Sequence, residues 1–175
     1  MRSSVALSLV VLVGCASSHR GAAIQGAPEV PIGSSSFRIR SPNGPAVKVV
    51  AFPLEQVWRV LPAVFDSLGI PITDVDAPQH VIGSSGFKAR KRLKNVPLSK
   101  FVDCGSTQGF PSADDYDLKI SVLTQVEPDA SGGTSIATQV EAEGRPPAFS
   151  GAYSRCHSTG QLEAAISSAA AQRLP

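Results

Sequence analysis

The chain has 175 residues, 42% of them hydrophobic, with 16 Lys and Arg against 14 Asp and Glu and a formal net charge of +2. So small an excess gives no case for the basic surface that binds nucleic acid by releasing counterions. The length suits one domain with a real core.

The first residues read as an address. MRSS carries one cation, Arg2, and residues 5–13 are Ala, Leu and Val except for Ser8. This run is shorter than the about 20 apolar residues of a membrane-spanning helix. It fits the roughly 7–15 residues of a secretory signal. Leu12-Val13-Gly14-Cys15 resembles the lipobox of bacterial lipoproteins, whose cysteine is acylated and becomes the first mature residue. Small Gly14 lets a peptidase approach the backbone, and Cys15 supplies the thiol. The plainer alternative is an ordinary signal with an incidental cysteine. The resemblance implies a signal peptide over 1–14 and a membrane anchor of several acyl chains, palmitate among them, on Cys15, since one chain alone binds only marginally. Ala16 and Ser17 lack the aspartate of the enterobacterial inner-membrane pattern, which implies an outer-membrane anchor facing the periplasm. Export also argues against a nucleic-acid partner.

Residues 15–45 are expected to be the lipidated cysteine and a tether. They are rich in Gly, Ala, Ser and Pro, and Pro28, Pro31, Pro42 and Pro45 break any helix. A short edge strand is expected around residues 37–40. Residues 46–175 are expected to form one domain. Val47, Val49 and Val50 begin a strand. Pro53 opens a helix whose Leu54, Val57, Trp58, Leu61, Phe65 and Leu68 line one face, with Gly69 as its stop. Pro62 should kink or split it. Strands are expected over 70–75 and 81–94, then a short helix or turn carrying Leu98, Phe101 and Val102 inward. Tyr116, Leu118, Ile120 and Val122 alternate with polar residues, as do Ile136, Thr138, Val140 and Ala142. The PDASGG stretch at 128–133 joins these two strands as a hairpin. Residues 145–155 are expected to be a loop. Ser158-Thr159-Gly160-Gln161 fits a capping box for a last helix with Leu162, Ile166, Ala169 and Ala170 inward.

The order β-α-β-β-turn-β-β-α predicts an α+β two-layer sandwich, an antiparallel sheet with both main helices on one face. With the lipobox, the tether and the early Val57-Trp58-Arg59-Val60-Leu61 helix, it resembles the helix-grip domains of the lipoprotein C subunit of the outer-membrane β-barrel assembly machinery. The resemblance covers residues 46–175 and implies a non-catalytic envelope-assembly or binding module. Here there is one such domain, and the cysteine pair is no part of the likeness.

Cys104 and Cys156 remain once Cys15 is assigned to lipid, an even pair in an oxidising compartment. A disulfide is the first reading. With His157 and Asp103 they could instead form a thiolate site or hold zinc, but both need reduced thiols and the close spacing of a metal motif is lacking. Asp114, Asp115 and Asp117 read as a solvated loop, since no calcium-loop spacing follows. No motif calls for a cofactor. The best binding candidate is KARKRLK: in a strand, Lys88, Arg90, Arg92 and Lys94 share one face and could meet phosphate or carboxylate of an envelope component or an acidic protein. The same stripe could merely protect a sheet edge. Two other classes stay open, a carrier with an amphiphile between helix and sheet and a thiol-dependent enzyme.

Overall fold

The computed structural model describes residues 44–175. The leader, Cys15, the strand expected around 37–40 and all but the end of the tether lie outside the described residues. The spine of the domain is a long hairpin. β9 (Asp117–Pro128) and β10 (Thr134–Arg145) pair antiparallel from Thr134 opposite Pro128 to Arg145 opposite Asp117. Even-numbered residues of both strands point to one side, where Leu118, Ile120, Val122, Val126, Ile136 and Val140 are at most 2% exposed. Thr124 and Thr138 share that buried side because their hydroxyls lie 3.0 Å apart and satisfy each other. In the turn, the hydroxyl and N–H of Ser131 donate to the Asp129 carboxylate and hold its pKa below the ordinary value.

The remaining strands flank this hairpin. β3 (Val81–Arg90) pairs with β9, and β2 (Asp74–Asp76), β4 (Arg92–Leu93) and β5 (Val96–Pro97) extend the sheet beyond it. β10's other edge is shared: β1 (Ala46–Val50) takes its first half, β11 (Ser154–Ser158) its second, and β6 (Val102–Asp103) adds to β11. β7 (Ser106–Thr107) and β8 (Phe110–Pro111) make a separate ribbon. Every pairing is antiparallel.

Two helices cover one face. α1 (Leu54–Leu68) buries Val57, Leu61, Val64 and Phe65, and α2 (Gln161–Arg173) buries Leu162, Ile166 and Ala170, all fully. They touch each other, the sheet and, through α2, strand β1. Half-buried Trp58 meets the ring of His80 edge-on at 5.5 Å, tying α1 to the turn before β3. The domain is thus α+β, a two-layer sandwich with both helices on one face of an antiparallel sheet.

Four local expectations are corrected. Pro62 does not split α1, because it sits on the exposed side, where water can serve the carbonyl it deprives of a partner. The strand expected over 70–75 shrinks to β2, which alone finds a partner in β3. The strand expected over 81–94 stops at Arg90, where Lys91 takes a φ of +63° and reverses the chain into β4. The loop expected over 145–155 ends in strand β11, so Ser158 is paired with Val102 and cannot cap. Gly160 is the N-cap of α2 instead, and the acid that reaches back to Ser158 Oγ is Glu163, at 2.6 Å.

A bulge decides which side of β3 is wet. The register against β9 shifts between Ser84, opposite Val122, and Phe87, opposite Ile120. The extra residue moves the inward set from Ile82 and Ser84 to Phe87 and Ala89, and turns Lys88 and Arg90 out. Gly86 supplies the left-handed φ of +59° that the bulge needs, and its N–H donates to Ser121 Oγ at 2.9 Å. Gly86→Val, which puts a β-branched residue at that φ, is expected to destabilise by about 1–2 kcal/mol. Urea unfolding followed by circular dichroism measures this; an unchanged midpoint would mean the bulge tolerates side chains.

Candidate functional site

The cysteines come first. Cys104 and Cys156 form a disulfide, S–S 2.04 Å with Cα atoms 4.4 Å apart, across a separation of 52 residues. It continues the β6–β11 ladder, in which Asp103 faces His157 and Val102 faces Ser158. Cys156 follows the inward side set by its partner Ala142 and is 5% exposed. Both sulfurs being bonded to each other, neither supplies a thiolate or a zinc ligand. Asp103 uses its carboxylate to accept the Gly105 N–H at 2.8 Å, which shapes the turn after the bridge. Among the described residues no group of three or more His, Cys, Asp or Glu is placed to hold a metal ion. Of the acidic cluster, Asp114 accepts from the N–H and hydroxyl of Ser99, so it joins two loops. Asp117 belongs elsewhere.

On the sheet face opposite the helices, the ends of β3, β9 and β10 bring charges into register. Arg90 lies opposite Asp117, which lies opposite Arg145; in the next row Lys88 lies opposite Lys119, which lies opposite Glu143. Arg90 Nε stands 3.6 Å from Asp117 Oδ1, an exposed pair of small energetic weight. Lys88 and Lys119 are like charges directly across adjacent strands, an unfavourable arrangement that an anion would relieve. Tyr153, just before β11, gathers the cations from the other side. Lys119 Nζ is 4.2 Å and the Arg145 guanidinium 4.6 Å from its ring centroid. The Arg145 Nη1 donates to the Gly151 carbonyl at 3.3 Å, while its Nε is buried without an acceptor among the described residues. Lys88, Arg90, Asp117, Arg145 and Tyr153 line a cleft of about 290 Å³. Four cations thus converge with one carboxylate lining the cleft and Glu143 beyond it.

The basic stripe is therefore divided. Lys88 and Arg90 enter the cleft. Arg92, past the reversal, donates from Nη1 to the Asn95 carbonyl at 2.9 Å. Lys94 lays its methylenes against Gly69 at the end of α1, where a Cβ would come within 2.9 Å of Lys94 Cγ. Sequence reading missed Lys119, Arg145 and Tyr153. The alternation of β9 did place Lys119 on the wet side, but only the pairing of three strands sets it beside Lys88.

No protein-family model matches the chain, and no curated protein matches it either.

The bridge closes a long loop between two-residue and five-residue strands. Unreduced peptide mapping should find Cys104 linked to Cys156, and replacing both by Ala should lower stability by up to about 4 kcal/mol on the chain-entropy account. Two free thiols in protein purified without reductant would contradict the pairing.

Proposed function

We propose that the protein is a lipoprotein anchored through Cys15 to the outer membrane, facing the periplasm, whose domain binds an anionic envelope component or assembly partner without catalysis. The carrying observation is the cleft at Tyr153, lined by Lys88, Arg90, Asp117 and Arg145, with the Lys119 ammonium over the Tyr153 ring. Paired guanidinium and ammonium groups over an aromatic ring suit phosphate or carboxylate oxygens, and a wet sheet face leaves them accessible. The anchor rests on Leu12-Val13-Gly14-Cys15. Among the described residues no helix is long and apolar enough to cross a membrane. The alternative of an amphiphile carrier is less well supported, since the inner faces of α1 and α2 and the facing strands interlock in one buried cluster. The disulfide likewise weighs against a thiol-dependent enzyme.

The anchor is read by feeding cells labelled palmitate. Label should enter the wild-type chain, and Cys15→Ser should lose it and move to the soluble fraction; wild type that is soluble and unlabelled would refute the lipoprotein reading. The cleft is read by binding of the full chain to phosphatidylglycerol vesicles and to peptidoglycan fragments. Lys88→Gln with Arg90→Gln should shift stability by about 0.5 kcal/mol each or less, because both side chains face water. The double change should weaken binding, as should raising salt from low to physiological strength. Arg92→Gln, outside the cleft, should weaken it less. Binding that ignores salt and all three substitutions would leave these cations only the protection of a sheet edge.

A further inference from the structure

The loop between β10 and β11 carries an uncovered apolar tip. Residues 146–152, PPAFSGA, include no charged side chain, and Pro146, Pro147, Ala148 and Phe149 are all exposed. Phe149 is 56% exposed. A run of apolar side chains in water marks a surface that meets something else. The tip is also well defined. The Phe149 N–H donates to the Pro146 carbonyl at 3.0 Å, closing a turn in which the ring of Pro147 fixes the backbone. The Phe149 ring lies directly on Gly151, in space that a Cβ there would need.

Cations stand beside this tip. The Gly151 carbonyl accepts from Arg145 Nη1 at 3.3 Å, and Tyr153, two residues on, lies against Lys119 and Arg145. The loop therefore folds back over the open face of the sheet, at the rim of the cleft. Arg155 follows on β11, exposed and opposite Glu143, so it shares that face. Lys88, Arg90, Lys119, Arg145 and Arg155 thus lie together, and Asp117 and Glu143 stand against them. The balance at this end of the sheet is positive.

We infer that this end of the open face docks on an anionic phospholipid bilayer, with phosphodiester headgroups at the Tyr153 cleft and Phe149 in the acyl boundary. The inference rests on the reading of that cleft as an anion site and names its partner. Two effects add at such a surface, burial of apolar area and attraction of cations to anionic lipid. A soluble anion or a peptidoglycan carboxylate would satisfy the cations and leave Phe149 in water. Tyr153, with an apolar ring and a polar tip, suits the headgroup level between them. On the anchored reading, a tether of about 30 residues spans roughly 30 Å, which keeps the domain close to a bilayer. A weak docking surface then suffices.

A fluorophore on the tip tests this without the lipid anchor. In the full chain with Cys15→Ser, Ala148→Cys offers one free thiol, since Cys104 and Cys156 are bonded to each other. A nitrobenzoxadiazole label there should shift to the blue on phosphatidylglycerol vesicles and be quenched by lipids carrying a spin label in the acyl chain. Phosphatidylcholine vesicles and peptidoglycan fragments should leave its emission in place. The same label at Ala130→Cys, in the exposed turn at the other end of the hairpin, should not respond. Phe149→Ser should weaken phosphatidylglycerol binding about tenfold and leave peptidoglycan binding unchanged. Lys88→Gln with Arg90→Gln should weaken vesicle binding about fivefold for each cation lost. Binding that depends on these cations with no shift at Ala148 would overturn the docking and leave the anion site standing. Equal shifts at Ala148 and Ala130, or a shift on peptidoglycan, would overturn it as well. A shift at Ala148 that ignores both cations would overturn the docking together with the anion reading of the cleft. Should Phe149→Ser lose its fold by circular dichroism, the label at Ala148 in the chain with Phe149 intact decides alone.

Discussion

The register of the β9–β10 hairpin is the constraint from which the rest of the domain follows. These two strands pair along their whole lengths, and β3, β1 and β11 are aligned only through them. Because side chains alternate with a period of two, the pairing of Thr134 with Pro128 assigns every residue of both strands to the helix side or the open side. The helices then have one place to bury their stripes. Thr124 against Thr138 shows how closely that assignment is kept, since two hydroxyls sit in the core only by bonding to each other.

The bulge in β3 transmits this constraint to the chemistry. Without the extra residue at 85–86, the alternation that buries Ile82 and Ser84 would continue to Lys88 and Arg90, and two cations would enter an apolar layer. With it, Phe87 and Ala89 go in and the cations go out. The same residue that saves the core thus builds the cleft. Its left-handed backbone and its N–H bond to Ser121 make the bulge a defined feature rather than a defect.

Short strands at the far edge raise a different problem. β6 has two residues and β11 five, too few for their hydrogen bonds to hold the chain that leads into α2. The disulfide fastens them, and Thr159 reinforces the join through its N–H on the Phe101 carbonyl and its hydroxyl on that of Lys100. Such a bond persists in an oxidising compartment. Securing β11 also positions the start of α2, and with it Glu163, whose Oε1 accepts the Ser158 hydroxyl.

The sequence by itself determined the α+β class, the two helices, the hairpin and the identity of the pairing cysteines, because each is written in local periodicity, turn residues or simple parity. Val57, Leu61 and Phe65 at helical spacing, and Leu118, Ile120 and Val122 in alternation, need no distant partner to be read. It also marked Lys88 and Arg90 as cations on one face of a strand. Tertiary structure alone decided the reversal at Lys91, which removes Arg92 and Lys94 from that face, and the existence of β11, whose residues carry no alternation strong enough to announce it. It alone brought Lys119, Arg145 and Tyr153 to Lys88, since these lie on three further segments joined only by the sheet register. The physical reason is the range of the interactions. Burial patterns and turn geometry act within a few residues, whereas a cleft of converging charges exists only once distant strands are aligned.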